Sequence, residues 1–182
     1  MPKVLIPLAQ GCEELEAVTM IDLLRRAGVE VVTAGLDDLP VRASRGTRLI
    51  PDTTLDRVLN DSFDMVALPG GLPGADHLRK DERVVKLLQR MAAEDQYLAA
   101  ICAAPAVLAH AGLLAGRRAT SYPGVLENLH RSDITISSDA VVKDGRILTS
   151  RGPGTALDFA LELIETLCGP AKRREVEEKL AR

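Results

Sequence analysis

Residues 97–112 read YLAAICAAPAVLAHAG, and the fold follows from the change of character in the middle of this stretch. Tyr97–Ile101 is a short apolar run of the kind expected in a strand buried on both faces. Ala103–Ala111 reads as a helix and is stopped by Gly112. Cys102 stands at the junction, among Ala99, Ala100, Ala103 and Ala104. A strand that turns straight into a helix leaves no room for bulky neighbours, so small residues on both sides of a cysteine meet the steric requirement of a nucleophile elbow. Pro105 suits a first helical turn, where its missing N–H would have had no partner. A sulfur there sees unpaired N–H groups and the positive end of the helix dipole, which predicts an exposed Cys102 with a lowered pKa. A buried, inert core cysteine is the competing reading; the tight turn and Pro105 weigh against it.

Strand and helix signals alternate on either side. Lys3–Ala9 is a buried-strand run, and Glu13–Ala27 has helical spacing at Leu15, Val18, Ile21, Leu23 and Leu24, closed by Gly28. Val29–Ala34 is a second strand, and residues 41–54 read as two short strands around Ser44-Arg45-Gly46-Thr47. Asp64–Leu68 is a strand ending in Pro69-Gly70-Gly71, followed by a helix around Asp81–Ala93. Ala140–Lys143 and Arg146–Thr149 flank Asp144-Gly145, a two-residue hairpin signal. Thr155–Leu167 and Ala171–Leu180 are the closing helices. This alternation predicts an α/β fold, a mostly parallel sheet with helices on both faces, in one domain over residues 1–182. Ligands of such sheets bind at the carboxyl ends of strands. Three loops with unusual chemistry leave strand ends, after Ala9, Leu68 and Ile101. They form one site if those strands are neighbours.

Each loop offers candidate groups. Gly70 and Gly71 permit close backbone approach, with N–H groups available to a developing oxyanion; an ordinary turn is the plainer alternative. Glu13, Glu14 and Glu16 complement the dipole of the first helix, and one of them could instead face Cys102. Spacing does not choose among them. Cys12 is either reactive or loop packing, and Cys168 reads as core. His77, His110 and His130 read as surface or packing residues rather than as a base for Cys102.

The chain has 182 residues, 46% of them hydrophobic and 2% aromatic, so its core must be aliphatic. A net charge of −3 argues against nucleic-acid binding. The run Lys172-Arg173-Arg174 is followed at once by Glu175, Glu177 and Glu178 and reads as a solvated helix face. The first apolar stretch is only about six residues, too short for a signal or a membrane span. A cytoplasmic protein with three free thiols, no disulfide framework and no metal pattern is expected.

The strings GCEELEAV, LLRRAGVEVVTAG, LPGGLPGA, AAICAAPAVLA, SYP and LTSRGPGTALDFAL, in this order, resemble the ThiJ/PfpI superfamily over nearly the whole chain. Within it they are most similar to the clade of the parkinsonism-associated protein deglycase and its bacterial homologues. The resemblance implies a flavodoxin-like three-layer sandwich, a homodimer, and no metal or organic cofactor. It carries the oxidisable nucleophile onto Cys102 and its protonated carboxyl partner onto Glu16. The backbone amides fall on Gly71 and Ala103, and the anion-binding arginines on Arg26, Arg45 and Arg151. Tyr122 stands where many eukaryotic relatives carry a proton-shuttling histidine, and a phenol of pKa roughly 10 is a poor base. Ala103 replaces the histidine of the protease-like branch, which argues against a peptidase and against a glutamine amidotransferase. The implied function is a cysteine-dependent glyoxalase or deglycase acting on methylglyoxal, glyoxal or their early glycation adducts. The alternative is a redox-responsive stress protein or chaperone that uses Cys102 sulfinate.

Overall fold

The computed structural model describes residues 1–182. Its strands and helices are β1 (Lys3–Leu8), α1 (Glu14–Arg26), β2 (Glu30–Gly35), β3 (Val41–Arg42), β4 (Arg48–Leu49), β5 (Thr53–Thr54), α2 (Leu55–Val58) and β6 (Met65–Leu68). Then come α3 (Gly74–Lys80), α4 (Glu82–Ala93), β7 (Tyr97–Ile101), α5 (Pro105–His110), β8 (Arg118–Ala119), β9 (Thr135–Ile136), β10 (Val141–Asp144), β11 (Ile147–Ser150), α6 (Ala156–Cys168) and α7 (Pro170–Lys179). Seven strands form one sheet in the order β10-β11-β7-β6-β1-β2-β5, parallel except for the β10–β11 hairpin.

Side chains along the central strands alternate between two cores, as period-2 geometry requires. Val4, Ile6 and Leu8 of β1, Met65 and Ala67 of β6, and Ala99 and Ile101 of β7 pack with α1 and α6. Leu5, Val66, Leu68, Leu98 and Ala100 pack on the other face with α4 and α5. Both faces are thus covered, and the continuous apolar runs read as strands are explained. Chain order reverses at β1, which lies between β2 and β6. The neighbours β1, β6 and β7 therefore bring their three carboxyl-end loops together at the switch point.

Several sequence expectations shift. Helix α1 buries Glu16, Ala17, Met20, Leu23 and Leu24, whereas Leu15 and Val18, assigned to the apolar face, are 50% and 44% exposed. The buried face is set by the side that must reach the strand ends through Glu16. The hairpin loop is Gly145-Arg146 rather than Asp144-Gly145, because Asp144 pairs with Ile147 and Gly145 takes the positive φ. Residues 41–54 hold the β3–β4 hairpin and also β5, a short edge strand of the main sheet. A further helix, α3, follows the Gly70-Gly71 loop, in a stretch the apolar spacing does not mark as helical. The basic run near the carboxyl terminus is neutralised within the chain, Lys172 by Glu175 and Arg173 by Glu162 and Glu165. No helix is long and apolar enough to cross a membrane.

Candidate active site

Cys102 holds φ = 64°, a left-handed conformation that costs a side-chain-bearing residue of order 1–3 kcal/mol and persists only when neighbours enforce it. Two backbone bonds do so. The Cys102 N–H donates to the Ser150 carbonyl at 3.0 Å, and the Tyr122 N–H donates to the Cys102 carbonyl at 2.9 Å. The first ties the turn to the end of β11, the neighbour of β7. Ala103 and Ala104 are both buried, which explains their size.

Two details of the elbow differ from the sequence reading. Helix α5 begins at Pro105, not Ala103, because a left-handed Cys102 cannot continue into α geometry; residues 101–104 close a turn instead, with the Ala104 N–H on the Ile101 carbonyl. The cysteine is also only 9% exposed, not open to solvent. Its thiol pKa is therefore not lowered but pushed up to about 12, first by burial and then by the charge and hydrogen bonding of Glu16. The amides of Gly71 and Ala103 act on the sulfur and oppose that rise without cancelling it.

Of the three glutamates that open α1, the structure gives each a separate task. Glu13 caps the helix, its carboxylate accepting the Glu16 N–H at 2.9 Å. Glu14 turns outward to the β3–β4 hairpin, accepting from the Ser44 hydroxyl and the Arg45 and Thr47 amides. Glu16 is fully buried beside Cys102. Burial pushes its pKa up to about 7, and the thiol and the Gly70 N–H lower it only in part. Its Oε2 accepts the Gly70 N–H at 2.8 Å; Oε1 is buried with no well-formed hydrogen bond. Cys102 and Glu16 thus form one coupled site in which burial favours the protonated form of both groups.

Gly70 was expected to offer its amide to an oxyanion, but that N–H is committed to Glu16. Its lack of a side chain is what permits the site: a Cβ there would lie 2.7 Å from the Cys102 Cβ and 2.8 Å from Glu16 Oε2. Gly71, at φ = 85°, allows the loop after β6 to lie against the loop after β1, where the Glu13 N–H donates to the Gly70 carbonyl at 2.9 Å.

The remaining candidates are less closely gathered. Tyr122 joins the site through its backbone; its side chain is 52% exposed and packs over Gly152. Arg45 sits at the hairpin turn held by Glu14. Arg151 follows β11, with its N–H on the Ala140 carbonyl. Arg26 is ten residues from Glu16 along α1, about 15 Å at a rise of 1.5 Å per residue, and is paired with Asp22; within one chain it does not reach Cys102. His77 bonds the Gln10 carbonyl, and no histidine partners the cysteine. Cys12 is fully buried, its pKa pushed up to about 12 by burial, which removes the reactive alternative. Cys168 is half-buried and packs against the core formed with α1 and α6. The roles of Gly70, Glu14, Ser150 and the Tyr122 amide escaped the sequence reading. Only the Gly-Gly pair gave any signal; the others act through long-range backbone bonds that no spacing reports.

Comparison with known proteins shows the family and the fold. The profile of the DJ-1/PfpI family matches residues 2–166. The chain is 44% identical over 177 residues to protein dj-1beta of Drosophila melanogaster, covering 97% of this chain and 95% of that protein. The crystal structure of that fly protein superposes with a TM-score of 0.95 at 43% identity, over 99% of this chain and 97% of the other. Oxidized DJ-1 of Toxoplasma gondii also reaches a TM-score of 0.95, at 40% identity over 100% of this chain and 98% of the other. The glutathione-independent glyoxalase DJR-1.2 of Caenorhabditis elegans is 37% identical over 169 residues, 93% of this chain and 89% of the relative.

Proposed function

This chain belongs to the DJ-1/PfpI family, and on that footing we propose that it is a cofactor-independent glyoxalase or deglycase whose nucleophile is Cys102. The observation that carries the reading is the Cys102–Glu16 pair: a thiol and a carboxyl coupled in a buried site at a strained turn. The relative named a glutathione-independent glyoxalase supports the reaction type. As the Cys102 sulfur attacks the aldehyde carbon of methylglyoxal, its proton passes to the Glu16 carboxylate. The aldehyde oxygen becomes a hemithioacetal oxyanion beside the Gly71 and Ala103 amides, then takes the proton back from Glu16 to become a hydroxyl, which leaves Glu16 a carboxylate again. Glu16 then mediates transfer of the C1 proton to C2 through an enediol. This moves the oxidation level from C2 to C1 and leaves a lactate thioester. Water cleaves the thioester to lactate and the free thiol. The sum is one methylglyoxal plus one water to one lactate, with no external oxidant or reductant. An early glycation adduct carries the same carbon as a carbinol; it would first release its amine or thiol, which takes back the proton of the carbinol hydroxyl, and the aldehyde so freed would enter by the same attack.

Tyr122 serves as a weak hydrogen-bond donor, and Arg45, Arg151 and Arg26 belong to the anion approach, Arg26 through a homodimer. The outward Leu15 and Val18 of α1 support that dimer. The proposed setting is the cytoplasm. Lactate formation from methylglyoxal, compared with a Cys102→Ser variant, tests the reaction. A wild-type rate no greater than that of the variant ends it.

A second reading, a redox-responsive protein, draws on the same atoms. The buried Oε1 of Glu16 is free to share a proton with a sulfinate oxygen, while the two amides favour its negative charge. Mild peroxide should add two oxygens to Cys102 before Cys12 or Cys168 changes; uniform oxidation of all three would reject it.

A further inference from the structure

Both backbone bonds that hold Cys102 at its positive φ lead back to one turn, residues 150–155, and hydroxyl groups remote from the sulfur fasten that turn. The Ser150 carbonyl accepts the Cys102 N–H at 3.0 Å. The Tyr122 N–H donates to the Cys102 carbonyl at 2.9 Å, and the Tyr122 ring lies over Gly152 so closely that a Cβ there would be 3.2 Å from Cδ2. A shift of the turn therefore reaches the nucleophile from two sides.

Ser150 is fully buried at the end of β11. Its hydroxyl donates to the Ala140 carbonyl at 2.7 Å and stands 2.7 Å from the Thr155 hydroxyl. A carbonyl only accepts, so the Ser150 proton is committed to Ala140 and the Thr155 hydroxyl supplies the proton between the two side chains. Thr155 Oγ1 in turn accepts the Gly152 N–H at 3.1 Å, and the Thr155 N–H donates to the Gly152 carbonyl at 3.0 Å. Thr155 immediately precedes α6, where a threonine ordinarily caps the helix with its side chain. It makes no such cap, and its hydroxyl serves the turn instead. Helix α6 is anchored by the buried Ala156, Phe159 and Ala160.

A left-handed residue that bears a side chain relaxes unless its neighbours enforce the conformation. We propose that Ser150 and Thr155 are positioning residues for the nucleophile: their paired hydroxyls fix the Ser150 carbonyl and Gly152, and through them hold Cys102 left-handed beside Glu16. Only the effect on turnover rests on the glyoxalase reading; the setting of the sulfur is measured without it.

Thr155→Val keeps the shape of the side chain and removes the hydroxyl, and Thr155→Ser restores it. Wild type and both variants are treated with iodoacetamide at one fixed pH, and alkylation of each cysteine is followed by mass spectrometry. In Thr155→Val, Cys102 is loosened from Glu16 and opened to water. It should react about tenfold faster, the change expected when a thiol pKa falls by about one unit, while fully buried Cys12 keeps its wild-type rate. Turnover of methylglyoxal should move the other way, kcat falling about tenfold or more with KM within about twofold, because the sulfur is displaced and the binding surface is not. Thr155→Ser should return both quantities toward wild type. Ser150→Ala/Thr155→Val should do no more than the worse single variant, as expected for two ends of one interaction. Val84→Ala, which opens the core under α4, lowers stability elsewhere and should leave alkylation of Cys102 unchanged. An unchanged rate at Cys102 in Thr155→Val, or an equal rise in Val84→Ala, overturns the proposal. A rise at Cys12 matching that at Cys102 shows general loosening and overturns it too. If wild type turns over no methylglyoxal while Thr155→Val still alters Cys102 alone, the glyoxalase reading fails and the positioning role stands.

Discussion

Glu16 is the residue on which the chemistry of the site turns, because its burial and its neighbour both act on one proton. Its folded pKa of about 7 lies above its ordinary value of 4.5. The contribution to stability is therefore fully present below pH 4.5 and is lost as pH rises through about 7. At 1.36 kcal/mol per unit the loss is about 3 kcal/mol. Glu16→Gln should flatten that part of the stability curve, which denaturant unfolding between pH 4 and pH 8 would reveal. The same substitution removes two causes that hold the Cys102 thiol up at about 12, so thiolate absorbance should titrate at lower pH in the variant. It also removes the proposed base. Wild-type turnover should rise with pH through about 7, and the variant should lose that inflection and at least about a hundredfold in rate. A variant that kept both would remove Glu16 from proton transfer. Gly70→Ala puts a methyl group 2.7 Å from the Ile101 carbonyl oxygen and the Cys102 Cβ. It should cost about 1–3 kcal/mol of stability, read from denaturant unfolding, and abolish activity.

At the scale of elements, the first turn of α1 organises two loops at once. Glu16 points inward to the loop after β6, and Glu14 points outward to the β3–β4 hairpin. A two-residue pair of strands is too short to hold itself, so the hairpin depends on such outside bonds. Glu14→Ala should release it without moving the helix. Amide exchange at Arg45 and Thr47 should quicken by about tenfold or more, the order expected for loss of a net hydrogen bond, while amides within β1 remain protected. Unchanged exchange at Arg45 would show that the backbone bonds from Gly11 and Ser44 suffice. Helix α5 teaches the opposite lesson. At six residues it is too short to impose a strong dipole on a cysteine three positions ahead of it, and burial prevails.

For the whole molecule, the order β7-β6-β1 places Cys102, the Gly70-Gly71 loop and Glu16 in register at one rim of the sheet. The same architecture leaves Leu15 and Val18 facing out on α1, with Ile50 beyond the hairpin 85% exposed. Val18→Asp should shift the light-scattering mass from that of a dimer to that of a monomer. A wild type that is already monomeric would remove the dimer from the functional reading.

The local pattern was enough to read the strand runs, the tight small-residue turn at Cys102 and the alternation that makes a parallel sheet buried on both faces. Each of these depends on near-neighbour sterics and on the period of apolar residues, which are written along the chain. The partnership of Glu16 with Cys102 entered through a family resemblance, because nothing in the spacing of three successive glutamate candidates distinguishes them. Tertiary structure decided which glutamate turns inward, that the Gly70 amide serves a carboxyl group, and that the thiol is buried and raised rather than exposed and lowered. Those outcomes depend on which strands lie side by side and on how far water is excluded. Proton affinity follows the solvation and charges around a group, and these are assembled from segments distant in sequence.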